Sequence, residues 1–199
     1  MKDHGVLFKS EMILVLLAGT KTQTRRLKGL EELNEVPAAW TLVDQETCAG
    51  VGVFDFQKKN AMATCRAPWS PGDHIYAKET WRPCGCMACD LSGEKHPVIY
   101  RAGSDLAGPW KSPLFMRRAD SRIRRRISAV RCQRLQDITE ADAKAEGVVD
   151  GLLFYACSLD GIPHTTAKLA YQEIWDSING LSSWDRNPWV FAYTLEEIK

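Results

Sequence analysis

The chain has no uninterrupted apolar stretch of the roughly 20 residues that a bilayer-crossing helix needs. It has almost no net charge, +1 over 199 residues, so overall charge selects neither an acidic nor a basic partner. Internal repeats and low-complexity tracts are also missing, which argues against a solenoid and against a long solvated linker. The seven cysteines are an odd number without regular spacing. A disulfide framework is therefore not expected, and reduced thiols in a cytoplasmic protein are. A leader peptide is not expected either. The short apolar run from Met12 to Ala18 follows Lys2 and Lys9, but Asp3 and Glu11 break a basic lead-in, and no small-residue cleavage site follows.

What is present suits one α+β domain able to bury a real core, with insertions near 29–68, 82–97 and 148–164. Ser10 is placed to cap a helix over 11–18 that Gly19 closes in the left-handed conformation. Lys21 to Leu27 then runs extended or turning. Residues 29–69 are punctuated by Pro37, Gly50, Gly52 and Pro68, with weak alternation over 51–56. Pro71-Gly72-Asp73 forms a turn into a strand over 74–81, and 98–100 forms a short strand. Ser121 to Leu135 reads as a strand whose Ile127-to-Val130 spacing requires a bulge. Thr139 begins a helix in capping-box fashion that ends at Gly147. A second helix starts at Thr165 or Thr166 and presents Leu169, Ile174 and Ile178 as a buried stripe. Trp189 to Leu195 is a closing strand. Short strands with few helices predict a small β-barrel surrounded by helices.

Two stretches carry chemistry. The first, Gly19 to Arg26 (GTKTQTRR), sets Lys21, Thr24, Arg25 and Arg26 just past the first helix. On a regular strand Lys21 and Thr24 face opposite ways, so they meet only if the chain turns or bulges between them. Otherwise the stretch is a solvated basic loop. The second, Pro71 to Trp81, puts Ile75, Ala77, Glu79 and Trp81 on one strand face. If Ile75 and Ala77 face the core, Glu79 is a carboxylate on an apolar surface, costly unless paired. Burial then opposes its charge and a nearby Lys21 favours it, the opposed influences of a general acid/base group. A structural ion pair with Lys21 or Arg25 fits the same residues.

From Lys111 to Arg134 nine basic residues face one acid, Asp120. Arginines interleaved with Ile and Val on a strand can present a row of planar forks to phosphates, or be simply solvated. Cys84, Cys86, Cys89 and His96 could complete a structural zinc site, with loop thiols as the alternative. Trp175, Trp184 and Trp189 sit in helix or strand patterns and belong to the core. Trp81 and Trp110 lie near the candidate site and could stack on a base, but packing is the better account of each.

With Gly19-x-Lys21-x-x-Thr24-x-Arg26 and Pro71-Gly72-Asp73 leading into Lys78-Glu79-Thr80-Trp81, the chain resembles the ASCH domain family of the PUA-like superfamily. Trp110 to Pro113, Ser121 to Ile123, Val130 to Thr139, Ile174 to Asn179 and Asn187 to Val190 extend the likeness to longer, often phage- or prophage-borne members. The resemblance implies a small β-barrel with helices around a cleft, and RNA or a modified nucleoside as ligand. Some similar members hydrolyse the acetyl amide of N4-acetylcytidine with a lysine, a threonine and a glutamate, roles that would fall on Lys21, Thr24 and Glu79. Arg25, Arg26, Lys78 and Trp81, with Arg122, Arg124 and Arg126, would then contact substrate or RNA. No cofactor is required for that chemistry and no membrane is implied. The alternatives are a non-catalytic RNA-binding module and a metal-independent single-stranded RNA nuclease.

Overall fold

The computed structural model describes residues 1–48, 51–87, 91, 97–148 and 166–198. Its fold is mixed α+β, dominated by sheet. The strands are β1 (Asp3–Leu7), β2 (Gln23–Arg26), β3 (Thr41–Cys48), β4 (Val51–Lys58), β5 (Ala61–Arg66), β6 (His74–Lys78), β7 (Trp81–Pro83), β8 (Val98–Tyr100), β9 (Arg124–Arg134) and β10 (Trp189–Glu197). The helices are α1 (Ser10–Leu17), α2 (Glu140–Ala145) and α3 (Ala167–Asn179), joined by short 3-10 turns.

Five strands form one sheet in the order β1-β6-β9-β10-β2, three form a meander β3-β4-β5, and β7 pairs β8. The main sheet is antiparallel except for β1 beside β6. Among the described residues these pairings leave β1 and β2 as edges and do not close a barrel. The bulge expected in the arginine-rich strand is there. Thr194 lies opposite Ala129 and Leu195 opposite Ile127, which leaves Ser128 as the extra residue. The Pro-Gly-Asp turn is fixed by Asp73, whose carboxylate accepts from the backbone N–H groups of Lys2 and Ser70 and pairs with His4 at 3.0 Å.

Two apolar clusters flank the main sheet. On one side β4 presents Phe54 and Phe56 to Phe191 and Trp189, with ring centroids 5.2 and 4.9 Å apart. On the other, α1 and α3 lay Met12, Val15, Ala170, Ile174 and Trp175 against Val190 and Leu135. Helix ends follow local chemistry. Thr139 Oγ1 accepts from Asp142 N–H and Thr166 Oγ1 from Leu169 N–H, while the Glu140 carboxylate accepts from the first two N–H groups of α3.

Several expectations need correction. Ser10 is the first residue of α1 and gives it no side-chain cap; Lys9 occupies the cap position. The stripe on α3 runs through Ala167, Ala170, Tyr171, Ile174 and Trp175, whereas Leu169 and Ile178 are exposed. Residues 29–69, hard to read as sequence, supply all three strands of the meander. The strand expected over 74–81 breaks after Lys78 and resumes at Trp81. Beyond Val148, the insertion expected at 148–164 lies outside the described residues.

Candidate active site

The chain turns sharply after α1. Gly19 has φ of +73°, and both Thr20 and Lys21 donate their backbone N–H to the Val15 carbonyl. This turn, which a strand would not provide, puts Lys21 and Thr24 on the wall of one cleft of about 490 Å³. That volume falls within the roughly 300–1,000 Å³ of small-molecule pockets. The remaining wall is largely apolar and aromatic, with Phe8, Met12, Leu114, Tyr171 and Trp175. Lys78 helps shape it from outside, because its ammonium holds the Leu114 carbonyl at 2.6 Å.

Lys21 is almost fully buried, and so is the carboxylate that meets it. That carboxylate belongs to Glu146, not Glu79. Lys21 Nζ lies 2.6 Å from Glu146 Oε2 and 2.8 Å from the Glu146 carbonyl oxygen. Arg25 donates from Nη1 to Glu146 Oε1 at 2.9 Å. Two buried cations thus share one carboxylate. Burial lowers the Lys21 pKa, Glu146 resists, and the neighbouring Arg26 and Arg25 add to the lowering. Burial pushes Glu146 upward, but Lys21 and Arg25 together outweigh it and hold the carboxyl below its ordinary range. Burial and the Glu146 charge also raise the Tyr171 phenol.

The close approach depends on Gly147. Its φ is +99°, and a Cβ there would stand 2.7 Å from Val15 Cγ2 and 3.3 Å from Lys21 Cβ. Glu146 itself caps the C-terminal end of α2, where a negative charge opposes the helix dipole. An acid followed by glycine at the close of a helix is the one sequence signal that could have found it.

Glu79 lies one residue past β6 and is buried, as are Ile75, Ala77 and Trp81. Its partner is Arg122, which grips both oxygens at 2.9 Å from Nε and Nη2. The same guanidinium donates to the Ala102 carbonyl at 3.0 Å and stacks 4.2 Å from the Tyr100 ring centroid. Glu79 does not line the cleft, and neither does Trp81.

Most of the arginine-rich run serves the fold. Arg117 pairs with Asp120, Arg118 with Asp3, Arg125 with Glu197 and Arg131 with Asp142. Arg134 donates to the carbonyls of Asn187 and Pro37. Arg124 and Arg126 are exposed on alternate positions of β9. In the cysteine loop, the Sγ atoms of Cys84 and Cys86 lie 3.2 Å apart, while Cys89 and His96 fall outside the described residues. Among the described residues no three His, Cys, Asp or Glu side chains are grouped to hold a metal ion. No described helix is long and apolar enough to cross a membrane.

Compared with known proteins, the chain matches no family model, no curated protein and no solved structure.

Proposed function

We propose that the protein is an amidohydrolase of a modified nucleoside, of the N4-acetylcytidine type, on an ASCH-like scaffold. The observation that carries this reading is that the buried Lys21–Glu146 pair and Thr24 line the same mostly apolar cleft. Amide hydrolysis needs an activated oxygen, a proton carrier and donors for the developing oxyanion. Lys21 has the lowered basicity of a general base, because burial penalises its ammonium more than Glu146 favours it. In its neutral form it takes the proton from the Thr24 hydroxyl, or from a water that this hydroxyl orients, as the oxygen bonds the acetyl carbon. The carbonyl electrons move onto oxygen, where the Arg25 charge beside Lys21 stabilises them. As the C–N4 bond breaks, the Lys21 ammonium returns its proton to the leaving amine. If Thr24 is the nucleophile, a second water then releases acetate from its ester. Glu146 keeps Lys21 oriented and balances its charge. Glu79 has a structural part here, pinning β6 to the segment before β9 through Arg122.

The PUA-like barrel belongs to the same proposal. Arg26 Nη2 reaches the Leu7 carbonyl at 3.4 Å, so the two edges of the main sheet approach each other beside the cleft. This supports a barrel whose seam stays open at the site. A second reading, a non-catalytic RNA-binding module, is favoured by exposed Arg124 and Arg126; its mark would be binding that falls steeply with salt.

The test is cytidine and acetate release from N4-acetylcytidine by purified protein. Turnover is expected, with loss in Lys21→Met and Thr24→Val variants that keep the native melting transition. Equal turnover in those variants, or none in the wild type, would overturn the proposal.

A further inference from the structure

The cleft is charged in a way that a neutral nucleoside does not use. Lys9, Lys21, Arg25 and Arg26 line it against a single carboxylate, Glu146. Lys21 and Arg25 are engaged by Glu146 at the inner end. Among the described residues neither Lys9 nor Arg26 has a carboxylate at ion-pair distance, although the Glu146 charge reaches Arg26. Lys9 Nζ gives two of its three protons to Ser177, to the carbonyl at 3.0 Å and to Oγ at 3.2 Å, which leaves one. Arg26 makes only two long contacts, 3.4 and 3.5 Å, with backbone carbonyls, and lies over the Phe8 ring.

These two cations flank the start of α1, whose residues Lys9 and Met12 also line the cleft. The helix has no side-chain cap, so its first N–H groups lack a capping partner among the described residues. Glu11 in the first turn is exposed and is not among the cleft residues. A second observation within the same cleft points to a ligand rich in acceptors. Arg25 is 3% exposed and Trp175 4%. Arg25 Nε and Nη2 and Trp175 Nε1 are buried without a hydrogen bond among the described residues. Arg25 Nη2 pairs with Asp142 Oδ2 at 3.4 Å, while Arg131 at 2.7 Å and Gln23 at 2.9 Å hold Asp142 Oδ1, so Arg25 Nε and Trp175 Nε1 are the donors left without an acceptor. Buried donors left without acceptors are costly, and a ligand bringing acceptors relieves that cost.

We infer that the cleft binds its nucleoside as a phosphomonoester, with the phosphate at the N-terminus of α1 between Lys9 and Arg26 and the base among the aromatic side chains. The inference rests on the nucleoside reading above and adds the anionic group. It makes the substrate a mononucleotide, or the phosphorylated end of a short strand, in place of a free nucleoside.

Calorimetry on the intact protein with cytidine, cytidine 5′-monophosphate, cytidine 3′-monophosphate and inorganic phosphate tests it without depending on hydrolysis. One monophosphate should bind at least tenfold tighter than cytidine. Lys9→Glu and Arg26→Gln should each shrink that ratio at least threefold, and raising salt from 50 to 300 mM should shrink it too. The 5′ and 3′ esters distinguish which phosphate is read, and phosphate alone should bind weakly at the same position. Equal affinity for cytidine and both monophosphates overturns the inference, as does a ratio unchanged in both variants. Turnover of N4-acetylcytidine without any phosphate preference defeats this inference alone. Tight, Lys9-dependent nucleotide binding without hydrolysis of any acetylated form upholds it and defeats the hydrolase. Absence of binding by every probe defeats both.

Discussion

Two carboxylates in this protein are buried to nearly the same depth, Glu79 at 2% exposure and Glu146 at 4%, yet their surroundings differ in kind. Glu79 meets one guanidinium, both of its oxygens are used, and Arg122 completes its own donors on a carbonyl and a tyrosine ring. The charges match one to one, and neither residue lines the cleft. Glu146 faces two cations, one of them a lysine able to lose its proton, and all three line an open cleft. Burial alone does not distinguish a structural ion pair from a reactive one. What distinguishes them is an imbalance of charge combined with access for a ligand.

Breaking the Glu146 side should have the largest effect. Glu146→Ala strands Lys21 and Arg25 without their shared counter-charge, and removing one partner of a buried pair costs about 3–5 kcal/mol. Denaturant unfolding should show that loss, and turnover of the surviving folded protein should drop to background. Lys21→Met removes the proposed base but keeps the apolar stem. Its expected loss of turnover is about 10²–10⁴-fold, the usual contribution of general acid–base catalysis, measured as cytidine release at substrate saturation.

Breaking the Glu79 side should separate stability from chemistry. Glu79→Ala leaves Arg122 without its carboxylate but in reach of water, so unfolding should show a smaller loss of about 1–3 kcal/mol, while the folded fraction keeps most of its turnover.

The two titrating groups at the cleft sharpen the comparison through pH. The Lys21 pKa in the fold lies below 10.5 because burial penalises the ammonium. Its protonated form therefore costs stability at low pH, and this cost disappears as pH rises from the folded pKa toward 10.5. Turnover should rise through the same folded pKa, as an initial-rate profile would read. The Glu146 pKa lies below 4.5. Its contribution is complete above 4.5 and is lost as pH falls through the lowered value, so Glu146→Gln should flatten that part of the acid-unfolding curve. The smallest effect is expected on the exposed face. Arg124→Ala with Arg126→Ala should change stability by no more than about 0.5 kcal/mol per site and leave nucleoside turnover intact.

Much of this was legible in the sequence where local chemistry decides. The Gly19 turn, the bulge in the arginine-rich strand, the Thr139 cap and the buried face of Glu79 each follow from spacing over a few residues. The meander was not legible, because Thr41–Cys48 and Ala61–Arg66 present mixed, partly exposed faces that carry little alternation. Leu169 and Ile178 follow helical spacing but lie to one side of the stripe centred on Ala170 and Ile174, which packing against α1 and β10 selects. At the site, the sequence let Lys21 and Thr24 share a face only if the chain turned, and it offered Glu79 as the lysine's neighbour where the fold supplies Glu146. Glu146 is 125 positions away in the chain, and its place beside Lys21 depends on how the end of α2 docks on α1 through Gly147. No short-range pattern encodes that docking.

The most direct measurement is cytidine release from N4-acetylcytidine by Lys21→Met and Glu79→Gln, side by side with wild type at equal folded concentration. The Glu146-centred site predicts background rates for Lys21→Met and near-native rates for Glu79→Gln. Full activity in Lys21→Met, or an inactive but folded Glu79→Gln, would contradict it.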